Sequence, residues 1–284
     1  MRPLLDKFCK LLCVTITACS ATSALANSEF HDLAYGNDPA QTLDVYAPTA
    51  AKGAPVIVMV HGGAWRFGDK DNRGVVKHKV VHWVNNGYVF TSLNYRMLPA
   101  ADLLTQAQDI VSAIQFVQAN ATSWGADPAQ VILMGHSAGA HLVALVNAQA
   151  SAGLLDSKIA YPWLGSIALD SAVYDVVKVM RATDTPRLYK RAFGEDPAFW
   201  QAVSPLHVLA GKIPPLLLVC SEKRPDEACD QASQFKQRIE SFGSDVRVLT
   251  KILSHRDINV LLGKDEAYTA QVDAFLQQIQ KNRS

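Results

Sequence analysis

The stretch that decides the fold is Val131–His141, which reads VILMGHSAGAH. A short aliphatic run leads into Gly-His-Ser-Ala-Gly, and small and apolar residues at helical spacing follow it. This order predicts a strand, a sharp turn and a helix, with Ser137 held at the turn and its hydroxyl exposed. Gly135 and Gly139 let the strand and the helix approach closely, and the amides of the helix N-terminus favour negative charge. The alternative interpretation of this stretch alone is an ordinary strand-to-helix turn.

Apolar runs alternate with helical patterns along the rest of the chain. The predicted strands are 42–46, 55–60, 89–95, 131–135, 165–170, 215–220 and 246–252, and the predicted helices are 70–86, 103–119, 138–149, 231–242 and 268–279. The runs at 55–60 and 215–220 are apolar throughout, which is typical of strands buried on both faces. The alternation predicts an α/β fold, with a mostly parallel sheet covered by helices on both faces. No repeat or linker divides residues 27–284, so we expect one domain, with residues 174–212 as a small cap insertion.

Composition limits the function classes. The chain has 284 residues, a hydrophobic content of 49% and a formal net charge of +1, and it carries no basic tract. A sizeable buried core is therefore expected, and a nucleic-acid partner is not. The sequence gives no indication of the oligomeric state.

Residues 1–26 have the pattern of a signal peptide. Arg2, Lys7 and Lys10 form a basic region, a short apolar segment follows, and Ala24-Leu25-Ala26 offers a cleavage site before Asn27. The apolar segment is too short to span a bilayer. We therefore expect an exported protein, periplasmic or secreted. In the alternative, Ile16-Thr17-Ala18-Cys19 is a lipoprotein signal that ends before Cys19, and the protein is anchored to a membrane through that lipidated cysteine.

Two cysteines remain after the predicted signal peptide. Cys220 and Cys229 form an even pair in an oxidising compartment, which favours a disulfide. Two free thiols are the alternative. No histidine or cysteine stands at ligand spacing beside either one, so no metal site is expected.

A serine nucleophile needs a general base, and His255 is the predicted one. It follows the last predicted strand, at the edge of the sheet where ligand chemistry collects in open α/β folds. His141 and His207 are the other histidines after Ser137. His141 lies one turn into the elbow helix and is expected to point into packing, whereas His207 lies within the cap.

The acid that orients the base is expected in the loop after the strand at 215–220. Asp226 is the preferred candidate, since it stands a few residues past the strand and inside the predicted disulfide loop. Glu222 is closer to the strand end and stays open, and Asp230 is expected to begin the next helix. Asp170 and Asp175, which follow the preceding strand, are further alternatives.

An oxyanion hole needs backbone amides that point at the developing negative charge. Ala138 supplies one, as the residue after the serine. The turn His61-Gly62-Gly63-Ala64-Trp65 follows a buried strand, and we expect its other donors at Gly63 and Ala64, with Gly62 forming the turn. A tight turn with no such role is the alternative, and Trp65 fits a pocket wall and a packing residue equally well.

These motifs resemble the α/β-hydrolase superfamily. The closest resemblance is to bacterial esterases with an HGG-x-W oxyanion motif, a group that includes feruloyl-esterase-like, hormone-sensitive-lipase-like and kynurenine-formamidase-like enzymes. The resemblance rests on His61–Lys70, Asn94–Arg96, Gly135–His141 and His255. It implies hydrolysis of carboxylic esters through an acyl-Ser137 intermediate without a cofactor. The chain departs from the family at the acid: the family usually has an Asp a few residues after the strand in a Gly-x-x-Asp setting, whereas Ser221-Glu222-Lys223-Arg224-Pro225-Asp226 intervenes here.

An exported carboxylesterase acting on small or aryl esters is the preferred function. An arylformamidase-type amidase would share the same machinery, a lipase or polymer-degrading esterase would need an exposed apolar groove, and a catalytically silent binding protein would not need Ser137 and His255. The sequence does not fix the substrate, because the cap sets the shape of the pocket and contains no motif.

Overall fold

A single mixed sheet forms the centre of the computed structural model, which describes residues 27–155 and 159–282. Its strands are β1 (Asn27–Ala34), β2 (Thr42–Pro48), β3 (Ala54–Val60), β4 (Val89–Leu93), β5 (Ala126–His136), β6 (Gly165–Leu169), β7 (Leu216–Ser221) and β8 (Val246–Lys251). They lie side by side in the order β1-β2-β4-β3-β5-β6-β7-β8. β2 is antiparallel to both β1 and β4, and all later pairs are parallel. The predicted α/β class is confirmed.

Helices cover both faces of this sheet. They are α1 (Arg73–Asn85), α2 (Leu103–Asn120), α3 (Ala138–Ser151), α4 (Val176–Arg181), α5 (Arg187–Phe193), α6 (Pro197–Ala202), α7 (Pro205–Val208), α8 (Ala228–Glu240), α9 (His255–Val260) and α10 (Glu266–Lys281). Residues of α1, α9 and α10 pack on one face, and residues of α2, α3 and α8 pack on the other. The helices α4 to α7 occupy the predicted cap region.

The side chains of β3 explain why its sequence is apolar throughout. Val56, Val58 and Val60 point into the core under α2 and α3. Ile57 and Met59 alternate with them and point into the core under α1 and α10. Because successive residues of a strand face opposite sides of the sheet, a central strand covered on both faces needs apolar residues at every position.

Several elements differ from the sequence expectations, and β5 and α8 begin earlier than predicted, at Ala126 and Ala228. The strand β1 was not predicted, because its segment NSEFHDLA is largely exposed and carries no apolar alternation. The helix α9 was also not predicted, since six residues are too few to show a helical period. The helix α1 begins at Arg73 rather than at residue 70, because the side chain of Asn72 caps its first turn.

The predicted signal peptide and Cys19 lie outside the described residues. Within the described ranges, no helix combines the length and the apolar character needed to cross a bilayer.

The turn between β5 and α3 depends on two glycines. A Cβ atom at Gly139 would overlap the carbonyl oxygen of Val60 and lie 2.6 Å from that of His61. A Cβ atom at Gly135 would overlap the backbone of Gly139 itself. Such distances are shorter than any van der Waals contact, so only glycine allows α3 to pack this closely on β3 and β5.

We predict that Gly139→Ala lowers the free energy of unfolding by about 3 kcal/mol or more, because the added methyl group overlaps backbone that cannot rotate away. Urea denaturation measures this loss. Gly87→Ala is the matched control: it has a positive φ of +86° but open space around a Cβ atom. It should lose only about 1 kcal/mol from backbone strain. Equal losses in the two variants would contradict the close-approach argument.

Candidate active site

Ser137 lies at the sharp turn between β5 and α3. Its backbone has φ 57° and ψ −118°, a strained conformation for a residue with a side chain. Its amide donates a hydrogen bond to the carbonyl oxygen of Leu169 at 2.9 Å, which joins the turn to the end of β6. Gly62 packs directly behind it, since a Cβ atom there would lie 2.9 Å from the Cβ of Ser137. The strain is thus held by packing on two sides.

Ser137, His255 and Asp170 form a continuous hydrogen-bonded set. The Oγ of Ser137 lies 3.0 Å from Nε2 of His255, and Nδ1 of His255 lies 2.6 Å from Oδ2 of Asp170. A carboxylate can only accept, so the contacts assign the proton to Nδ1 and leave Nε2 to accept from the serine hydroxyl. His255 is the first residue of α9, and the side chain of Ser254 caps that helix.

Asp170 is a buried carboxylate, and several donors compensate its charge. Its Oδ1 accepts from the amide of Ser221 at 2.8 Å, and its Oδ2 accepts from Arg224 as well as from His255. Burial raises the pKa of Asp170, but the hydrogen bond from His255, the charge of Arg224 and the Ser221 amide outweigh it. The pKa of this carboxyl is therefore held below its usual range, and Asp170 stays ionised.

Arg224 connects this set to Asp226. Its Nη1 donates to the backbone oxygen of Asp170 at 2.8 Å, its Nε donates to Oδ1 of Asp226 at 2.7 Å, and its Nη2 donates to Oδ2 of Asp226. The hydroxyl of Tyr189, on α5, donates to Asp226 at 3.1 Å. Burial raises the pKa of Asp226, but the hydrogen bonds and the charge of Arg224 lower it by more, so that the pKa lies below its usual value.

The prediction that Asp226 orients His255 is corrected by this geometry. The carboxylate bonded to His255 is that of Asp170, one strand earlier, and both oxygens of Asp226 are bound to Arg224. The loop after β7 places Arg224 in contact with His255, and Asp226 binds the opposite side of the guanidinium.

A second histidine, His136, packs against His255 and holds its backbone. Nε2 of His136 lies 3.0 Å from the backbone oxygen of His255, and the two rings pack with centroids 4.7 Å apart. Burial lowers the pKa of His136 to about 3, so the ring is neutral and donates this hydrogen bond. The buried Lys79 fixes the other end of α9, because its Nζ donates to Oδ1 of Asn259 at 2.8 Å. Burial lowers the pKa of Lys79 to about 7.

The turn after β3 presents backbone amides near Ser137. Gly63, Ala64 and Trp65 have φ values of +124°, +59° and +58°. Within residues 27–155 and 159–282, no protein acceptor is bonded to the amide of Gly63 or Ala64. The amide of Ala138 belongs to the first turn of α3 and has no partner within the helix. Three amides are therefore available to a negatively charged oxygen.

Trp65 locks this turn onto the elbow helix. Its Nε1 donates to Nδ1 of His141 at 3.2 Å, and Nε2 of His141 lies 2.8 Å from the backbone oxygen of Val203. The indole is 2% exposed and packs against Phe193. Burial lowers the pKa of His141 to about 4, so this ring is neutral and points into packing, as the sequence indicated. His207 contacts Asp175 in the cap.

A cavity of about 500 Å³ opens above Ser137. Its walls come from the turn after β3, from the ends of β5 and β6, and from the cap. The apolar part is lined by Phe67, Val173, Leu188 and Tyr189, and the polar part by His255 and Arg224. The hydroxyl of Ser137 lies next to an imidazole, an ionised carboxylate lies behind that ring, and free amides lie in front of the hydroxyl. This arrangement is suited to attack on a carbonyl carbon.

A protein-family profile described as BD-FAE matches residues 43–239, more than half of the chain. The chain belongs to the BD-FAE family. Residue 255 lies beyond the matched range, whereas Ser137 and the turn at 61–65 lie within it. The profile match therefore covers the elbow, and the structure alone brings His255 to it.

Relatives of this BD-FAE chain include proteins named as esterases. Esterase LipC of Mycobacterium tuberculosis is 28% identical over 272 residues, which cover 88% of this chain and 65% of that protein. Isoprenylcysteine alpha-carbonyl methylesterase ICME of Arabidopsis thaliana is 28% identical over 256 residues, covering 83% of this chain and 59% of that protein. The chain thus spans less than two thirds of the length of these relatives.

Solved structures share the fold. Esterase B from Lactobacillus rhamnosis superimposes with a TM-score of 0.74 at 20% identity, covering 90% of this chain and 87% of that one. Thermogutta terrifontis esterase 2 superimposes with a TM-score of 0.70 at 22% identity, covering 87% and 94%. These similarities show that the BD-FAE chain has the α/β-hydrolase fold.

The structure brings together most of the predicted site residues. Ser137 and His255 are in hydrogen-bond contact, and Gly62, Gly63, Ala64 and Ala138 surround Ser137. Among the alternative acids, Glu222 is exposed, Asp175 contacts His207, and Asp230 lies in the first turn of α8. Asp170, the alternative from the preceding strand, takes the place next to His255.

Sequence reasoning missed Arg224. No local pattern in the sequence marked its role, because its contacts with Asp170 and His255 join residues far apart in the chain. Asp170 directly follows β6, whose end lies beside the end of β7.

The predicted disulfide is present between Cys220 and Cys229. It joins the end of β7 to the start of α8 and closes the loop that carries Arg224 and Asp226. Within the described ranges, no group of histidine, cysteine or carboxylate side chains is arranged to hold a metal ion.

Proposed function

We propose that the protein is a serine hydrolase that cleaves small carboxylic esters. The observation that carries the proposal is the contact of Ser137 Oγ with His255 Nε2, whose other ring nitrogen faces the ionised Asp170. His255 takes the proton of Ser137 as the serine attacks the carbonyl carbon, and Asp170 stabilises the imidazolium that forms. His255 then returns the proton to the leaving alcohol, and water releases the acid from acyl-Ser137 in a second cycle.

The amides of Gly63, Ala64 and Ala138 hold the oxyanion of each tetrahedral intermediate in this proposal. Hydrogen bonds that strengthen as the charge develops lower the barrier without stabilising the bound ester equally. The strained turn and the packing of Trp65 keep these amides in place before the substrate arrives.

The substrate class rests on the cavity and on the relatives. A volume of about 500 Å³ accommodates an ester of moderate size, and the aromatic residues Phe67 and Tyr189 in its lining favour an aryl group. The names of the relatives LipC and ICME support ester hydrolysis. Kynurenine formamidase of Danio rerio, 34% identical over 117 residues that cover 40% of this chain and 37% of that protein, supports formamide hydrolysis as the alternative. A catalytically silent protein would not need the three available amides.

We predict that Asp170→Asn lowers kcat/KM for p-nitrophenyl acetate by about 10⁴-fold, since the amide stabilises the wrong tautomer of His255 and no imidazolium. Asp226→Asn should stay within about tenfold of the wild type. Ser137→Ala defines the background, and hydrolysis of the acetate, butyrate and octanoate esters by purified protein gives the rates. Equal losses in the two aspartate variants would contradict the assignment of Asp170. An inert wild type on every ester, with turnover of an aryl formamide, would favour the amidase.

A second prediction concerns the oxyanion turn. Gly63→Ala should lower kcat by about 10²–10³-fold with little change in KM, because a Cβ atom there overlaps the carbonyl oxygen of Phe67 and displaces the amides. Gly53→Ala is the control, since that glycine also has a positive φ but open space around it. A loss expressed in KM alone would argue against a role in the transition state.

We also propose that the protein is exported. The basic start, the short apolar segment and Ala24-Leu25-Ala26 support this, and the disulfide between Cys220 and Cys229 fits an oxidising compartment. N-terminal sequencing and intact mass of the protein from a bacterial host expressing the full chain should find Asn27 as the first residue. A lipid-modified Cys19 would instead establish the anchored form, and an intact Met1 would contradict export.

A further inference from the structure

Arg224 is a largely buried cation that contacts both Asp170 and His255. Its side chain is 14% exposed, and its Nη1 lies 2.8 Å from the backbone oxygen of Asp170, 3.2 Å from Oδ2 of Asp170 and 2.9 Å from Nδ1 of His255. Its Nε and Nη2 are bound to Asp226. Each of its three nitrogens has a partner among the protein's own residues, and two of those partners, Asp170 and His255, belong to the catalytic set, through which Arg224 can act on the reaction.

The contact between Arg224 and His255 is electrostatic. The proton on Nδ1 of His255 goes to Asp170, so Nδ1 has no lone pair left to accept from the guanidinium. A positive charge next to the imidazole opposes the entry of a second proton into the Asp170–His255 pair. Asp226, on the far side of the guanidinium, reduces that effect.

We infer that Arg224 is a positioning residue that fixes the Asp170 carboxylate for His255 and keeps a second proton off the pair at lower pH, with Asp226 moderating the charge of Arg224. The inference rests on the proposed function. The loop after β7 thus contributes to the site through Arg224, although the acid comes from the end of β6.

Other ionisable groups face this cluster from the surrounding elements. They are Tyr189 on α5, Tyr174 after β6, Tyr268 on α10, His136 below His255, and Lys79 on α1. Burial raises the pKa of the three tyrosines and lowers that of His136 to about 3, so these four stay neutral between about pH 5 and 9. Burial lowers the pKa of Lys79 to about 7, but Lys79 is common to every variant below and cancels in comparisons between them.

The test is the pH dependence of kcat/KM for p-nitrophenyl acetate in two variants with opposite expectations. Arg224→Gln should move the acidic limb to higher pH by about one unit or more, because the charge that repels the proton is gone. Asp226→Asn should move the limb to lower pH by a smaller amount, about half a unit, because Asp226 is partly exposed and its charge is screened. A merely structural salt bridge would move stability and kcat but not the limb.

A conservative variant and a matched control complete the design. Arg224→Lys keeps the charge, so its limb should stay near that of the wild type, although kcat falls because an ammonium group cannot span Asp170 and Asp226. Arg256→Gln removes the same residue type next to His255 in the sequence, at a side chain that is 81% exposed. Its limb should not move. Thermal unfolding and labelling of Ser137 by a fluorophosphonate establish that each variant is folded.

Two outcomes are separable. Wild type that neither hydrolyses esters nor reacts with the fluorophosphonate contradicts the proposed function. In that case NMR titration of the imidazole signals of His255 in wild type, Arg224→Gln and Asp226→Asn still measures the effect of the two charges. Protonation should move to higher pH in Arg224→Gln and to lower pH in Asp226→Asn. Unmoved limbs and unmoved titrations in both Arg224→Gln and Asp226→Asn overturn the inference, and so does a limb of Arg224→Lys that follows Arg224→Gln.

Discussion

The close approach of α3 to the ends of β3 and β5 is the constraint on which the site depends. Gly139 lies against the carbonyl oxygens of Val60 and His61, and Gly62 lies against Ser137, so no side chain separates the elbow from the turn after β3. This packing holds Ser137 at a positive φ and places the Gly63 and Ala64 amides in front of it. The strain is sustained because buried elements meet on both sides of the turn. The parallel strands then bring the ends of β6 and β8 to the same edge of the sheet, where Asp170 and His255 follow.

Burial of a carboxylate at the end of β6 determines the second half of the site. A buried charge without donors is expensive, and Asp170 is therefore surrounded by His255, the Ser221 amide and Arg224. Arg224 is also largely buried, and the carboxylate of Asp226 compensates its charge. The hydroxyl of Tyr189, on α5, donates a hydrogen bond to Asp226 in turn. A continuous chain of polar contacts therefore runs from Asp170 through Arg224 and Asp226 to the cap. The cap is thus attached to the site through polar contacts, in addition to the apolar packing of Phe193 against Trp65.

The sequence predicted the α/β class, the strands and helices with clear apolar periodicity, and the neighbourhood of Ser137, because each rests on a local pattern. Apolar runs such as Pro55–Val60 require burial on both faces, and a Gly-x-Ser-x-Gly turn requires close packing. It did not predict β1, which is held by pairing with β2 and has no apolar pattern of its own. It placed the acid on Asp226 because that residue stands a few positions past β7 and inside the disulfide loop. Which carboxylate reaches His255 depends on tertiary geometry that no local pattern encodes.

The position of the acid follows from the geometry of neighbouring parallel strands. β6 and β7 are paired, so residues after either strand begin within one strand spacing, about 5 Å, of each other. A carboxylate from either strand end can therefore approach the same imidazole, and the fold does not fix which one does. In this chain the amide of Ser221, at the end of β7, donates to the carboxylate that follows β6, and the loop after β7 places the cation of Arg224 between Asp170 and its own Asp226. Two carboxylates at this distance would repel each other and raise the affinity of the site for a proton. Arg224 is bonded to both carboxylates, so Asp170 keeps its charge although Asp226 lies nearby in the neighbouring loop.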